Sequence, residues 1–320
     1  MKVLVTGAGG FVGSALWGHF EQHGHEVRRA VRAVRGLSSH ETPETVAVGE
    51  IGSTTDWSPS VDGVDAVVHL AARVHILEDS ATDALTEYRR VNVEGTRSLA
   101  AAAQRAGVRR LIFVSSVKVH GERSLHPFTE LDAPRPEDAY AMSKLEAEEA
   151  LKQTLSAGPT QWTILRPPLV YGPGVRANFL ALLRVVARGI PLPLAAIDNR
   201  RSLLYVGNLV DAIRVCLERD GAGARTFLLS DGEDLSTPEL VRRLARALDR
   251  PARLARVPVW LLRLAGELSG SAAAVDRLVN SLQVDTTAIQ AALRWTAPWT
   301  VDRGLQETVR WFRAAQLTAA

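Results

Sequence analysis

Several features are scarce in this 320-residue chain, and each scarcity excludes a class of protein. The single cysteine, Cys216, rules out a disulfide framework within the chain and predicts a buried structural thiol. The best candidate for a membrane span, VWLLRLAGEL, is interrupted by Arg263 and Glu267, so no apolar run reaches the roughly 18 residues that cross a membrane. The opening MKVLVTGAGG is too short and too rich in glycine for a signal peptide, so we expect a cytoplasmic protein.

An excess of charge of one sign is also lacking, because the formal net charge is only +3. No cluster of lysine and arginine with interleaved aromatic residues occurs, which argues against nucleic-acid binding. His19, His23 and His25 stand close together without other metal-ligating residues around them, so we expect no metal site. The hydrophobic content of 46% and charged content of 23% are ordinary for a globular protein of one large domain or two closely joined ones.

Short apolar runs alternate with helical patterns in the first half of the chain. The strands are predicted at residues 3–6, 26–31, 66–71, 111–115 and 161–166, and the helices at 11–23, 88–106 and 139–155. This alternation predicts a parallel sheet with helices on both faces and right-handed crossovers. The predicted fold class is therefore α/β, a doubly wound Rossmann fold that binds ligands at the carboxyl ends of its strands.

The pattern changes after residue 166, where prolines interrupt the stretch 167–200. Strand–helix–strand character returns at 203–229, and the tail from residue 236 is mainly helical. We therefore assign residues 1–166 to a cofactor-binding domain, to which 203–230 returns. Residues 167–202 and 231–320 are assigned to a smaller, mostly helical substrate-binding domain.

Three glycines follow the first predicted strand at the spacing G-x-x-G-x-x-G. Gly7 allows a tight turn, Gly10 lets the backbone approach a pyrophosphate, and Gly13 lets the next helix pack closely on the sheet. The free N–H groups of that helix N-terminus would face the phosphates of a dinucleotide. The alternative is a structural turn without a ligand, but the position between a strand and a helix favours the binding site.

The second predicted strand ends without the acidic residue that NAD-preferring sites place there to accept from the ribose 2′-hydroxyl. An apolar residue occupies the position, and Arg32 follows with Arg28, Arg29 and Arg35 nearby. Because a guanidinium suits a 2′-phosphate, NADP(H) is favoured, with NAD(H) as the alternative. The competing interpretation is that these arginines are solvated surface charges. Glu50 and Ile51 follow the third apolar run and could flank the adenine.

Tyr140 and Lys144 lie four residues apart on a predicted helix, which places both side chains on one face. A phenol is a poor base near neutrality, and a nearby ammonium group is expected to lower its pKa. Tyr140 could then exchange a proton with a substrate hydroxyl or carbonyl while a nicotinamide exchanges hydride. Ser115 and Ser116 end a strand upstream, and Ser116 can hydrogen-bond the reacting oxygen. The alternatives are an exposed amphipathic helix for the pair and a turn cap for Ser116.

These segments together resemble a known family, the extended short-chain dehydrogenase/reductases, in the epimerase/dehydratase branch that acts on nucleotide sugars. The matching pieces are Thr6-Gly7-x-x-Gly10-x-x-Gly13, residues 65–72, Asn92-Val93-Glu94-Gly95-Thr96, Ser115-Ser116-x-x-Val119-His120-Gly121, Tyr140-x-x-x-Lys144 and Leu165-Arg166-Pro167-Pro168-x-Val170-Tyr171-Gly172-Pro173-Gly174. They occur in the family's order and at its spacings.

The resemblance implies roles for residues of the first predicted domain. Ser116 would be the catalytic serine beside Tyr140 and Lys144, Asn92 would help to order the site, and Pro167 would lie by the nicotinamide. A homodimer through the helices around 88–106 and 139–155 is also implied. The full set of implied cofactor-binding residues is Gly7, Gly10, Phe11, Val12, Gly13, Arg32, Glu50, Ile51, Leu70, Ala71, Ala72, Asn92, Ser115, Tyr140, Lys144 and Pro167.

The resemblance also implies a site for the nucleotide part of the substrate. Asn178 would offer its amide to the diphosphate, and Arg201 and Arg277 would supply guanidinium groups, whose forked donors suit such a ligand. We also expect Lys118 and His75 to face the sugar. For each arginine the alternative is a surface salt bridge.

The resemblance leaves several reactions open. Dehydratases of this family carry an Asp-Glu pair after the catalytic serine or threonine, but Val117 and Lys118 stand there, so dehydration is not expected. The leading hypothesis is an NADPH-dependent 4-reductase of a UDP-4-keto-6-deoxy-N-acetylhexosamine in surface polysaccharide biosynthesis, which Arg32 favours. The second is a UDP-hexose or UDP-N-acetylhexosamine 4-epimerase with retained NAD. A hypothesis of another class is a non-catalytic NADP-binding sensor or scaffold.

Overall fold

The structure is a computed structural model that describes residues 1–33, 44–74 and 84–318. Its strands are β1 (Lys2–Thr6), β2 (Glu26–Val31), β3 (Thr45–Ala47), β4 (Ala66–His69), β5 (Arg110–Val114), β6 (Gln161–Arg166), β7 (Leu169–Tyr171), β8 (Arg201–Tyr205), β9 (Arg225–Leu228) and β10 (Asp234–Leu235). Within the described residues, seven of them form one sheet in the order β3-β2-β1-β4-β5-β6-β9, with every neighbouring pair parallel. The strand order reverses between β1 and β4, so the predicted Rossmann fold is confirmed.

Helices connect these strands and form most of the last third of the chain. They are α1 (Phe11–Gln22), α2 (Ser58–Val61), α3 (Ala84–Tyr88), α4 (Gly95–Arg105), α5 (Ala139–Leu155), α6 (Ala177–Ala187), α7 (Val206–Glu218), α8 (Thr237–Ala247), α9 (Val259–Leu268), α10 (Ala272–Val279), α11 (Thr287–Leu293) and α12 (Val301–Thr318). The single helix predicted at 88–106 is wrong in detail, because a π-helical turn at Arg89–Glu94 separates α3 from α4. Among the described residues, no helix has both the length and the apolar composition that crossing a membrane requires.

Apolar cores fill both faces of the large sheet. One contains Leu16 of α1 and Ile213 of α7. The other contains Trp57 beside α2 and Leu99 of α4. The central strands face both cores, which explains their nearly continuous apolar sequences. Cys216 lies in the first core with no exposed surface, so the predicted buried thiol is confirmed.

A second sheet, described here as β10-β8-β7, forms a smaller lobe together with α6, α8 and α12. Pro167 and Pro168 separate β6 from β7, and the chain leaves the large sheet there because proline cannot donate to a strand ladder. The sequence predicts that residues 203–230 return to the first domain. In the structure β9 pairs with β6, whereas β8 pairs with β7 in the small sheet. The division into two domains stays a prediction.

A buried ion pair that the sequence analysis did not identify joins β6 to α5. Arg166, the last residue of β6, donates from Nε to Oε1 of Glu148 at 3.0 Å and from Nη2 to Oε2 at 2.5 Å. Its Nη1 donates to Nε2 of His120 at 2.9 Å. Burial and the charge of Arg166 lower the pKa of His120 to about 4, so the imidazole is neutral in the folded protein at neutral pH.

We expect His120 to make the protein sensitive to acid. The unfolded chain protonates this histidine below its ordinary pKa of 6.5, whereas the folded protein does so only near pH 4. As the pH falls through that window, this residue therefore lowers the free energy of unfolding by about 1.4 kcal/mol for each pH unit. Urea denaturation at several pH values should show this decrease in the wild type and not in His120→Gln. The exposed His126 offers the control, and equal pH dependence in His120→Gln and His126→Gln would contradict the assignment.

Candidate active site

The glycine turn between β1 and α1 has the close packing that a phosphate-binding loop needs. Gly7 has φ +68°, and a Cβ placed on it would lie 2.8 Å from the backbone nitrogen of Ala71. A Cβ on Gly13 would lie 2.3 Å from the carbonyl oxygen of Gly7. Among the described residues no side chain caps the N-terminus of α1 after Gly10, so the N–H groups of its first turn are available to an anion. These features fit the phosphates of a dinucleotide.

Gly13→Ala should therefore weaken dinucleotide binding by about tenfold or more, because the added methyl forces the turn at Gly7 to move. Fluorescence titration with reduced nicotinamide dinucleotide measures the effect. Gly9 is the matched control, since a Cβ placed there has no atom within 4 Å. Equal affinities of Gly13→Ala and Gly9→Ala would show that the turn does not hold the cofactor.

A chain of hydrogen bonds fixes the loop after β4 against the glycine turn. Thr6 Oγ1 accepts from the backbone nitrogens of Leu70 and Ala71, both at 3.2 Å. It lies 2.7 Å from Nδ1 of His69, whose Nε2 lies 3.0 Å from Oγ1 of Thr96. Because burial lowers the pKa of His69 to about 3, the ring is neutral and accepts from one threonine while it donates to the other. The backbone of residues 70–71 is thereby held beside the glycines.

Asn92 connects this loop to the helix that carries Tyr140. Its Oδ1 accepts from the backbone nitrogen of Arg73 at 2.7 Å, and its Nδ2 donates to Ser143 Oγ at 2.9 Å. Ser143 Oγ in turn donates to the carbonyl of Tyr140 at 2.8 Å. Asn92 lies on the π-helical turn, a local feature frequent at functional sites. These bonds support the ordering role that the sequence resemblance implied.

Tyr140 lies in the first turn of α5. Asp138 caps this helix, and its Oδ1 accepts from the backbone nitrogen of Ala141 at 2.7 Å. The ring of Tyr88 meets that of Tyr140 edge to face, with ring centroids 6.2 Å apart. Burial, the charge of Asp138 and the proximity of Tyr88 raise the pKa of the Tyr140 phenol above its ordinary value.

Lys144 does not have the predicted effect on this phenol. Its Nζ donates to the carbonyl of Val114 at 2.7 Å and lies 4.0 Å from the centroid of the Phe113 ring. Burial lowers the pKa of Lys144 to about 7, against the opposing charge of Glu148. The predicted lowering of the Tyr140 pKa is wrong for this arrangement, because the amine is directed at the end of β5 while the phenol is desolvated.

Ser116 follows β5 and caps a short 3₁₀ turn at Val117–Val119. Its Oγ accepts from the backbone nitrogen of Lys118 at 3.2 Å, so the turn-cap interpretation describes part of its role. The half-buried hydroxyl still has its own proton to donate. The carbonyl of Pro167 accepts from the backbone nitrogen of Val117 at 2.9 Å, which fixes the ends of β5 and β6 together.

Arg201 lies on β8 and Arg277 on α10 of the smaller lobe. Arg201 Nη1 donates to the carbonyl of Asn280 at 2.9 Å. Burial lowers the pKa of Arg201, Glu122 opposes that shift and the charge of Arg277 adds to it. Two guanidinium groups so placed favour an anionic ligand.

Asn178 is exposed at the start of α6, and His75 lies outside the described residues.

Comparison with known proteins settles the family. The model of the NAD-dependent epimerase/dehydratase family matches residues 3–229. The chain belongs to this family. It is 42% identical over 317 residues to a UDP-glucose 4-epimerase of Vibrio cholerae, covering 98% of this chain and 96% of that protein. The predicted resemblance is thus confirmed, and the chain is an enzyme of the short-chain dehydrogenase/reductase type.

Other members of the family are similar over the whole chain. An N-acetyl-alpha-D-glucosaminyl-diphospho-ditrans,octacis-undecaprenol 4-epimerase of Escherichia coli O157:H7 is 31% identical, over 97% of this chain and 95% of that protein. MoeE5, solved in complex with UDP-glucuronic acid and NAD, superposes with a TM-score of 0.78 and 27% identity. The match covers 98% of this chain and all of that one.

Two arginines of the second strand, Arg28 and Arg29, are hydrogen-bonded to other residues of this protein. Arg28 is buried and donates to the carbonyl of Ser60 at 2.9 Å and to Glu44 at 2.8 Å. Arg29 donates to Thr45 Oγ1 at 3.0 Å. These two arginines therefore have partners within the protein that stabilise the sheet edge. Arg32 is exposed immediately after β2.

Glu50 and Ile51 lie after β3, at the edge of the sheet where the sequence places the adenine. Glu50 is exposed, and its carboxylate is 3.6 Å from Nη1 of Arg90. Ile51 packs closely on Gly95, since a Cβ placed on Gly95 would lie 2.3 Å from Cγ2 of Ile51. Ile51 therefore has a packing role in addition to any contact with a cofactor.

Lys118 belongs to an ionic cluster that sequence analysis missed. Its Nζ donates to Asp138 Oδ2 at 2.9 Å and also contacts Glu122. Burial acts to lower the pKa of Lys118, but the hydrogen bonds to both carboxylates raise it overall. Since Asp138 also caps α5, Lys118 is linked to the helix of Tyr140. Only Asp138 had a usable sequence signal, as an Asp just before a predicted helix.

Proposed function

We propose that this enzyme is a UDP-sugar 4-epimerase. The observation that supports it best is the placement of Ser116 and the Lys144 amine at the carboxyl end of β5, with Tyr140 one turn before Lys144 on α5. Ser116 follows this strand, and Lys144 reaches the carbonyl of Val114 from the helix that carries Tyr140. The relatives add the reaction class, because the Vibrio cholerae protein is named a UDP-glucose 4-epimerase and the Escherichia coli protein is named a 4-epimerase of a diphospho-linked sugar.

The proposed roles follow from the chemistry of each side chain. When bound, a nicotinamide dinucleotide would supply the hydride acceptor and donor for C4 of the sugar. Tyr140, as phenolate, would accept the proton of the C4 hydroxyl when C4 is oxidised, and as phenol it would give that proton back to the carbonyl oxygen when C4 is reduced. The raised pKa of its phenol favours the protonated form, which serves the reducing half of the reaction. Ser116 donates to the same oxygen. Lys144 and Asn92 hold the cofactor side of the site in position.

Residues of the phosphate loop and the smaller lobe would bind the rest of both ligands. The first turn of α1 and the loop at 70–72 cradle the dinucleotide, with Ser115 and Pro167 beside its nicotinamide end. Arg201 and Arg277 would take the diphosphate of the sugar nucleotide, with Asn178 at its entrance. Lys118 would orient the sugar through its link to α5.

A second candidate is the reductase of a UDP-4-keto-6-deoxy-N-acetylhexosamine. One observation favours it: exposed Arg32 follows β2 where an acidic residue would accept from the ribose hydroxyl of NAD. An NADP(H) preference would suit a reductase, which consumes its reductant. The two candidates therefore differ in the fate of the cofactor, although they share their catalytic residues.

Two assays on the same preparation separate the candidates. In the first, the protein with NAD should interconvert UDP-glucose and UDP-galactose, or their N-acetylhexosamine counterparts, without net formation of NADH. In the second, the 4-keto sugar nucleotide is supplied with NADPH, and the absorbance of the reduced nicotinamide is followed. Stoichiometric loss of NADPH without epimerisation would replace the epimerase by the reductase, and inactivity in both assays would overturn both proposals.

The expected cytoplasmic location and the homodimer through the helices around 88–106 and 139–155 stay predictions. Light scattering of the purified protein tests the dimer directly.

A further inference from the structure

Helix α9 exposes an apolar face on the smaller lobe. The exposed fractions are 67% for Trp260, 41% for Leu261, 44% for Leu264 and 82% for Leu268. The spacing of these residues places them on one side of the helix. On the opposite side, Val259 and Leu262 pack against the core of the lobe. The helix is thus anchored by one face while the other carries bulky apolar side chains into solvent.

The segment that leads into α9 is strongly basic. Residues 250–266 contain four arginines and no acidic residue. Arg250, Arg253 and Arg256 are exposed, and none has an ion-pair partner within residues 1–33, 44–74 and 84–318. Arg263 lies on α9 itself, where it donates to Asn280 Oδ1 at 3.0 Å and lies 3.9 Å from Asp276 Oδ1, so the unpaired charge is that of the other three arginines. Fixed positive charge therefore borders the apolar face.

We propose that α9 and its arginine segment dock the enzyme on an anionic phospholipid surface. An apolar helical face bordered by arginine, with a tryptophan at its edge, is the pattern of helices that lie in a membrane interface. Unpaired arginines complement the negative headgroups, and the apolar side chains enter the boundary of the acyl region. Docking through one face of a short helix leaves the lobe folded and makes the attachment reversible.

Docking through α9 would also affect the substrate cleft, because the neighbouring helix α10 contributes to it. Helix α10 packs closely on α9, since a Cβ on Gly266 would lie 2.7 Å from Cγ2 of Val275. Helix α10 also carries Arg277, whose charge acts on Arg201 and helps to lower its pKa. Docking through α9 would therefore hold the arginine side of the cleft close to the lipid headgroups.

Flotation of the full chain with vesicles tests the proposal. The protein should float with vesicles of equal parts phosphatidylglycerol and phosphatidylcholine, and should stay at the bottom of the gradient with phosphatidylcholine alone. A Leu264→Gln/Leu268→Gln variant and an Arg250→Gln/Arg253→Gln/Arg256→Gln variant should each lower the fraction bound by about tenfold. Higher salt should release the wild-type protein.

The control for the apolar variant is Leu125→Gln/Leu131→Gln, which changes two leucines elsewhere that are even more exposed and should bind like the wild type. Turnover of a dissolved sugar nucleotide should be unchanged in all of these variants, so a failed docking test and a failed epimerase assay remain distinguishable. Absence of flotation with the anionic vesicles, or equal binding by the α9 and control variants, would overturn the proposal. So would a lipid-free dimer that the α9 variant dissociates, because a second copy would then cover this face.

Discussion

Tyr140→Phe should lower kcat by about 10²–10⁴-fold while leaving dinucleotide affinity nearly unchanged. The variant removes one hydroxyl from a half-buried ring at the start of α5 and with it the group that we propose exchanges the proton of the C4 oxygen. The ring packing against Tyr88 is retained, so the helix and its cap at Asp138 should stay in place. Steady-state kinetics and a dinucleotide titration on the same preparation measure the two quantities.

Tyr88→Phe is the matched control, because it removes a neighbouring hydroxyl whose bond to the Val74 carbonyl is long, at 3.4 Å. Its kcat should stay within about threefold of the wild type, since surface or weakly bonded hydroxyls contribute little. If Tyr140→Phe retained full turnover, the phenol would not be the proton donor. If even the wild-type protein consumed no sugar nucleotide while it still bound the dinucleotide, that result would favour the hypothesis of a non-catalytic sensor or scaffold.

Glu148→Gln should lower the free energy of unfolding by about 3–5 kcal/mol. The substitution leaves the guanidinium of Arg166 buried without its carboxylate, and a buried unpaired charge is costly. His120 cannot compensate, because it already accepts a hydrogen bond from Arg166 as a neutral ring. Urea denaturation monitored by tryptophan fluorescence gives the change.

The next residue on α5 supplies the control for that prediction. Glu149 is exposed and pairs with Lys152 at 2.8 Å, so Glu149→Gln should change the free energy of unfolding by less than about 1 kcal/mol. A similarly small change for Glu148→Gln would mean that Arg166 finds another anion or water, and that the pair does not stabilise the junction of β6 and α5.

The sequence predicted the parallel sheet well because its strands are buried on both faces. The strands at 26–31 and 161–166 and the helix at 139–155 were predicted with the bounds that the structure shows. The π-helical turn at Arg89–Glu94 could not be predicted, because one widened turn barely disturbs the apolar periodicity over 88–106. The pairing of β8 with β7 depends on contacts between segments more than thirty residues apart, which periodicity does not report.

The residue types of the candidate site could be predicted from the sequence, but the partners of its charged side chains could not. The positions of Tyr140, Lys144 and Ser116 along the chain placed them near the end of β5. Nothing in the spacing indicates that the Lys144 amine is directed at the Val114 carbonyl. Likewise, a run of arginines does not tell which one is exposed, as Arg32 is, and which one is buried against backbone carbonyls, as Arg28 is.

The final helix, α12, has a consequence for the order in which the protein forms during its synthesis. Val301, Leu305, Val309 and Phe312 complete the core of the smaller lobe against residues such as Phe179 and Leu183, more than a hundred positions earlier. All strands of the large sheet precede residue 229, and of the residues after β9 its core takes only a few, such as Ile289 and Leu293 of α11. Most of that sheet can therefore form before α12 has been translated. The core of the smaller lobe is complete only when α12 is present, so its apolar segments stay exposed in the nascent chain until that helix has been made.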